Sequence, residues 1–156
     1  IVSRAQAMRF MILPEKEMEG ILQKEKRADD IAQSYLRIAS GRPGILIALI
    51  GNRDYAKQEL SLFEKALRVF RDKDALAGVA LSATLADNAS SRARLAEYCF
   101  RYLRKELIRY SRDPAKSDEY IRRLIYAGRC MSMLNTSNVN PRLAMDAMLM
   151  AALLPT

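Results

Sequence analysis

There is no histidine in this chain of 156 residues. Without an imidazole, neither a Ser-His-Asp triad nor a Cys-His pair can be built, which removes the commonest routes to nucleophilic catalysis. Cysteine is nearly as scarce, with Cys99 and Cys130 the only two. Two thiols in a chain of this length make no disulfide framework, and their spacing offers no zinc site. Both lie within apolar helical patterns and read as buried thiols of a reducing compartment, so a cytoplasmic location is expected. Six glycines and five prolines fall mostly between periodic segments, so the chain is not of low complexity. No apolar run is long enough to span a bilayer. The longest, at 45–50, is short and bounded by glycines. No signal peptide is visible and no membrane partner is expected. No fixed repeat of about 30 to 45 residues recurs, which argues against an α-solenoid.

What remains is a globular balance, half hydrophobic and 28% charged, too apolar for a disordered chain. The formal charge is +8 with a pI near 9.7, which favours polyanions or an acidic protein as partners. The excess is uneven: residues 92–129 hold eleven Lys/Arg against five Asp/Glu. A basic stretch can mark nucleic-acid binding. It can equally be a solvated helix face.

The hydrophobic periodicity is helical throughout. Residues 1–14 read as an extended lead-in that Pro14 stops. Three short helices follow. The first, at 15–26, has Met18, Ile21 and Leu22 on one face. The second, at 28–39, has Ile31, Tyr35 and Ile38, with Asp29 and Asp30 in the first turn where the helix dipole favours them. The third is 45–50, led by Pro43 in a first-turn position. It is apolar nearly all round and is expected to be buried.

Five longer helices are expected beyond residue 52. The first, at 54–70, carries a stripe of Leu60, Phe63, Ala66, Leu67 and Phe70. The second, at 75–86, turns Leu76, Val79, Ala80, Ala83 and Leu85 to one side. The third, at 92–110, is capped by Ser91. The fourth starts after Ser117 and has the stripe Ile121, Leu124, Ile125, Gly128, Met131 and Leu134. The last spans 141–154, with Asn140 as cap and Pro141 at its first position. It is apolar over most of its surface, so it must be enclosed by its neighbours or by a partner chain.

No constellation for chemistry stands out. Asp29 and Asp30 are adjacent on a helix and point about 100° apart, which suits the dipole better than paired-carboxylate catalysis. Gly41-Arg42-Pro43-Gly44 lacks the lysine and Ser/Thr of a phosphate-binding loop. An apolar setting for Cys99 speaks against a reactive thiolate. No metal and no cofactor is expected, and the chain reads as non-enzymatic.

Three segments, in order, carry a resemblance. They are Val2-Ser3-Arg4-Ala5-Gln6, the run Ala39-Ser40-Gly41-Arg42-Pro43-Gly44-Ile45-Leu46-Ile47-Ala48-Leu49, and Asn138-Val139-Asn140-Pro141-Arg142-Leu143-Ala144-Met145-Asp146-Ala147-Met148-Leu149-Met150. The first is similar to the Ser-Arg-Cys segment that ends the ATPase domain of bacterial DNA polymerase III clamp-loader subunits, with Ala5 in place of the family's cysteine. The second is similar to the lid-domain helix start that bears the sensor-2 position. The third is similar to the family's closing helix, roughly Asn-x-Asn-x-Arg-Leu with an apolar tail. Their order and spacing extend the resemblance over essentially the whole chain.

The resemblance implies an all-α region with a three-helix lid at 1–51 and a five-helix collar at 52–156. The nucleotide-binding core would lie upstream, and a chain beginning at Ile1 rather than Met is expected to be a fragment. Members that hydrolyse ATP place an arginine three residues after the turn glycine. Here that position is Gly44, and Arg42 stands too early, so the chain looks more like a delta prime subunit than gamma or tau. Arg4 then matches the arginine that reaches a neighbour's ATP site and stabilises charge during phosphoryl transfer.

The implied partners are the other clamp-loader subunits, gamma/tau and delta. The sliding clamp and primed DNA would be met indirectly, and the fragment alone is open to self-association. The expected collar interface comprises Tyr120, Leu124, Asn138, Asn140, Arg142 and Leu143, with Tyr98, Tyr102 and Tyr126 as further tyrosines suited to an interface. A basic helical nucleic-acid-binding module is the alternative.

Overall fold

The structure is a computed structural model that describes residues 12–24, 29–134 and 139–154. Within them every regular element is helical. The order is α1 (Glu15–Lys24), α2 (Asp29–Ala39), α3 (Pro43–Gly51), α4 (Arg53–Asp72), α5 (Ala75–Thr84), α6 (Ala89–Arg109), α7 (Pro114–Leu134) and α8 (Pro141–Leu153). The chain divides into two compact units, 1–60 and 61–156, with the division inside α4.

The first unit packs α1, α2 and α3 on one another. Met18, Leu22, Tyr35, Ile38, Ala39, Leu46 and Leu49 form its interior. Two details of the expected faces change. Ile31 is exposed, and α2 uses Leu36 and Ala39 instead. The third helix is not enclosed all round: Leu46 and Leu49 are buried, but Ile47 lies open. A helix packed on a two-helix support has only one side covered, however apolar its sequence.

The α2–α3 turn is built on backbone shape. Ser40 and Gly41 both have positive φ, 47° and 76°. Gly41 accepts a hydrogen bond from the Leu13 N–H at 2.8 Å. A Cβ at Gly41 would meet the Leu13 carbonyl oxygen at 2.8 Å and press on Ile12. Glycine is therefore required there for space as well as for φ. Arg42 turns its Nε back to the Ala39 carbonyl at 3.2 Å, closing the end of α2.

In the second unit α8 is the central element and packs against α5, α6 and α7. Ala144, Met145, Met148, Leu149, Ala152 and Leu153 of α8 are all buried. Gly78 permits the close approach of α5: an added Cβ would stand 3.2 Å from a Leu153 methyl and 3.3 Å from a Val69 methyl. The face of α5 turned inward is thus Gly78, Leu81 and Ser82, and Leu76 is 80% exposed, contrary to the expected stripe. The Ser82 hydroxyl links α5 to Asp146 of α8. On the other side, α4 and α6 join through rings. Phe63 meets Tyr98 edge-on at 5.2 Å between centroids, and Phe70 stacks on Tyr102 at 4.9 Å.

Helix starts follow the strongest available cap. Asp74 accepts from the Ala77 N–H at 2.9 Å, and Asn140 accepts from the Arg142 N–H at 2.9 Å with Pro141 next, as the sequence indicates. Two starts differ from expectation. α6 begins at Ala89 because Asn88, not Ser91, is the cap, accepting from the Ser91 N–H at 2.9 Å. α7 begins at Pro114 because Asp113 accepts from the Lys116 N–H at 3.2 Å, which leaves Ser117 inside the helix.

Candidate assembly interface

The apolar stripe expected on α7 is not the side that packs. Tyr120, Arg123, Ala127 and Cys130 are buried, whereas Ile121, Ile125 and Tyr126 are exposed. The reason is a charged residue used as a core residue. Arg123 runs beneath α8 and donates from Nη1 to the Ala152 carbonyl at 3.0 Å. Its Nη2 donates to Glu119, and its guanidinium lies 5.2 Å from the centre of the Tyr120 ring. By capping a carbonyl in the last turn of α8, Arg123 sets the rotation of α7 and leaves an apolar edge outward.

Glu106 is the second buried charge of this unit. Tyr120 donates its hydroxyl to Glu106 Oε2 at 3.4 Å, and Arg109 stands 3.7 Å from Oε1. Burial pushes the Tyr102 and Tyr120 hydroxyls above the usual phenol range, and the Glu106 charge pushes in the same direction. Cys99 is buried beside Cys130, and burial, with a smaller contribution from the Cys130 charge, pushes its thiol up to about 12. A thiol held so firmly protonated is a packing group, not a nucleophile. Among the described residues no group of three or more His, Cys, Asp or Glu is placed to hold a metal ion.

What α7 and α8 leave outward is a groove of about 590 Å³, lined by Arg122, Arg123 and Tyr126 on one side and by Ala147, Met150, Ala151 and Leu154 on the other. The exposed edges continue it at helical spacing. Arg122, Tyr126, Arg129 and Met133 run along α7, and Leu143 and Met150 along α8. Leu143 is 65% exposed. The groove itself is apolar on its α8 side and carries Arg122 and Arg123 on its α7 side, and open apolar surface of this kind marks interaction sites.

The residues expected at an interface are scattered by this geometry. Leu143 stands at the outer edge of α8. Arg142 is exposed and reaches Asp146 at 3.8 Å. Asn140 is spent on capping the helix. Leu124 is half-buried. Tyr120 and Tyr98 are buried, Tyr102 is half-buried, and all three contribute rings to packing, so of the four tyrosines only Tyr126 lines the α7–α8 groove. Gly44 is exposed in the first turn of α3 with no atom within 4 Å of an added Cβ. Arg4 and Asn138 lie outside the described residues.

Arg122 and Arg123 were not singled out as interface residues by the sequence, and Met150 and Leu154 were left open between cover by neighbouring helices and cover by a partner chain. The spacing of Leu143, Ala147, Met150 and Leu154 was the available signal, hidden because the opposite side of α8 is equally apolar.

Some cations of the basic stretch 92–129 are engaged in ion pairs within it. Arg94 and Arg101 pair with Glu97, Lys116 with Asp113 and Arg123 with Glu119. No helix among the described residues is long and apolar enough to cross a membrane. Comparison with protein-family models, with curated proteins and with solved structures finds no match.

Proposed function

We propose that this chain is an assembly module: the lid and collar part of a bacterial DNA polymerase III clamp-loader subunit, most like delta prime, with no complete active site of its own. It joins ATPase subunits through its second unit and so contributes to loading the sliding clamp on primed DNA. The observation that carries the reading is the outward apolar groove between α7 and α8. Covering Tyr126, Leu143, Met150 and Leu154 removes apolar surface from water at roughly 25 cal/mol per Å², a driving force for association. The order of the three sequence segments names the kind of assembly. Gly44, with no side chain to reach a phosphate, fits a subunit that does not hydrolyse ATP.

The nucleic-acid alternative rests on the excess of cations in 92–129, of which Arg94, Arg101, Lys116 and Arg123 are engaged by carboxylates of the same stretch.

The test is to mix the full chain with purified gamma and delta subunits and measure mass by light scattering after size exclusion. A hetero-oligomer at micromolar concentration is expected. A chain that elutes unchanged from every mixture contradicts the proposal.

A further inference from the structure

A second groove lies in the same unit between the C-terminal part of α4 and α6. We propose that it binds an acidic peptide segment presenting one large apolar side chain. The cavity holds about 350 Å³ and is lined at its base by Phe63, Phe70, Tyr98 and Tyr102, with Leu67 half-exposed at its mouth. That volume and lining suit a leucine- or phenylalanine-sized group.

Charge selects the rest of the ligand. Arg71, Lys73, Arg101, Lys105 and Arg109 line the groove. Three of these have carboxylate neighbours: Arg71 with Asp72, Arg101 with Glu97, and Arg109 with Glu106. Among the described residues Lys73 and Lys105 have no such neighbour. They leave a net positive margin on both sides of an apolar slot, which is complementary to carboxylates flanking an apolar side chain.

The rings decide against single-stranded nucleic acid. Base stacking needs open aromatic faces. Here Phe63, Phe70 and Tyr98 are almost wholly buried, and the half-buried Tyr102 has a face stacked on Phe70.

The experiment uses the full chain and a short, end-blocked, fluorescein-labelled peptide of glutamates around one central leucine, read by anisotropy. Saturable binding is expected, weakening as salt is added. Lys105→Glu should reduce affinity by about tenfold, and Leu67→Glu should abolish binding. Both positions are exposed on their helices, and far-UV circular dichroism checks that each variant folds. If Leu67→Glu does not fold, Lys105→Glu decides alone. Peptides with the leucine replaced by glycine, or the glutamates by glutamine, should bind at least several-fold more weakly. Absence of saturable binding overturns the proposal, as does equal binding of the glycine peptide. Tighter binding of labelled oligothymidylate, lost on Lys105→Glu, overturns it in favour of nucleic acid.

Discussion

The two units leave apolar surface in different ways. In the first, Ile12, Ile31 and Ile47 are exposed singly, each on a separate segment. Isolated exposures of this kind are ordinary in any soluble fold. In the second, Tyr126 of α7 and Met150 and Leu154 of α8 share one groove, because α8 is buried on one side by three neighbours and open on the other. The units also differ in what holds them. The first rests on a small core, aliphatic but for Tyr35, and on a glycine-dependent turn, and it buries one carboxylate, Glu59. The second has stacked rings and two buried charges, Glu106 and Arg123. Outward apolar groups come from composition in one case, whereas in the other the buried Arg123 sets how α7 is turned.

The largest effect that can break this comparison is at Gly41. Gly41→Val forces a branched side chain to positive φ and into the Leu13 carbonyl. A loss of about 3 kcal/mol or more is expected in the first unit. Hydrogen exchange should show faster exchange of α1–α3 amides while α6–α8 keep their protection. Equal loss in both would mean that the units stand or fall together.

Next is Arg123→Met, which keeps the volume but leaves the Ala152 carbonyl and Glu119 without their donor. A cost of about 2–3 kcal/mol is expected, seen as a lower urea midpoint. An unchanged midpoint would remove the buried arginine from the account.

Alkaline pH sharpens the same contrast. The Cys99 thiol ionises near 9.0 when free and near 12 when folded. Its contribution to stability is whole below pH 9, where both states hold the proton. Between these values the unfolded chain gives up the proton and the folded one keeps it, so stability falls by about 1.4 kcal/mol per pH unit for this group. Tyr102 and Tyr120 act in the same direction from above the ordinary phenol value. Cys99→Ala should make the pH dependence of the urea midpoint shallower. A slope identical to wild type would contradict the assignment.

The smallest stability effect expected is at a cap. Asn140→Ala removes the acceptor for the Arg142 N–H and should cost about 1 kcal/mol, measurable as a lower Tm.

Element type was legible along the sequence because helical periodicity survives in every segment. Faces were less so. A stripe drawn through Ile121, Leu124 and Ile125 assumes that apolar means inward, and that fails on α7, where Arg123 takes the inner position and isoleucines face water. Charged residues such as Arg123 and Glu106 read as surface until their partners on other elements are placed, and those partners are distant in sequence. A capping residue followed by proline was read as a start at Asn140-Pro141, whereas the fourth long helix was placed after Ser117 although Asp113-Pro114 begins it in the same way. At the candidate interface, Leu143 was legible from its motif. Met150 and Leu154 were not, since a helix apolar on both sides gives no sign of which side a neighbour will cover.

The central claim is that the α7–α8 groove is an assembly surface, and sedimentation of a charge-substituted variant tests it most directly. Leu143→Glu and Met150→Glu together put two carboxylates on exposed positions, so stability should change little, by about 1 kcal/mol at most. The account predicts a variant that folds and melts like wild type but sediments alone in the presence of gamma and delta subunits, where wild type sediments as a complex. A doubly substituted chain that still co-sediments with the same affinity would contradict it.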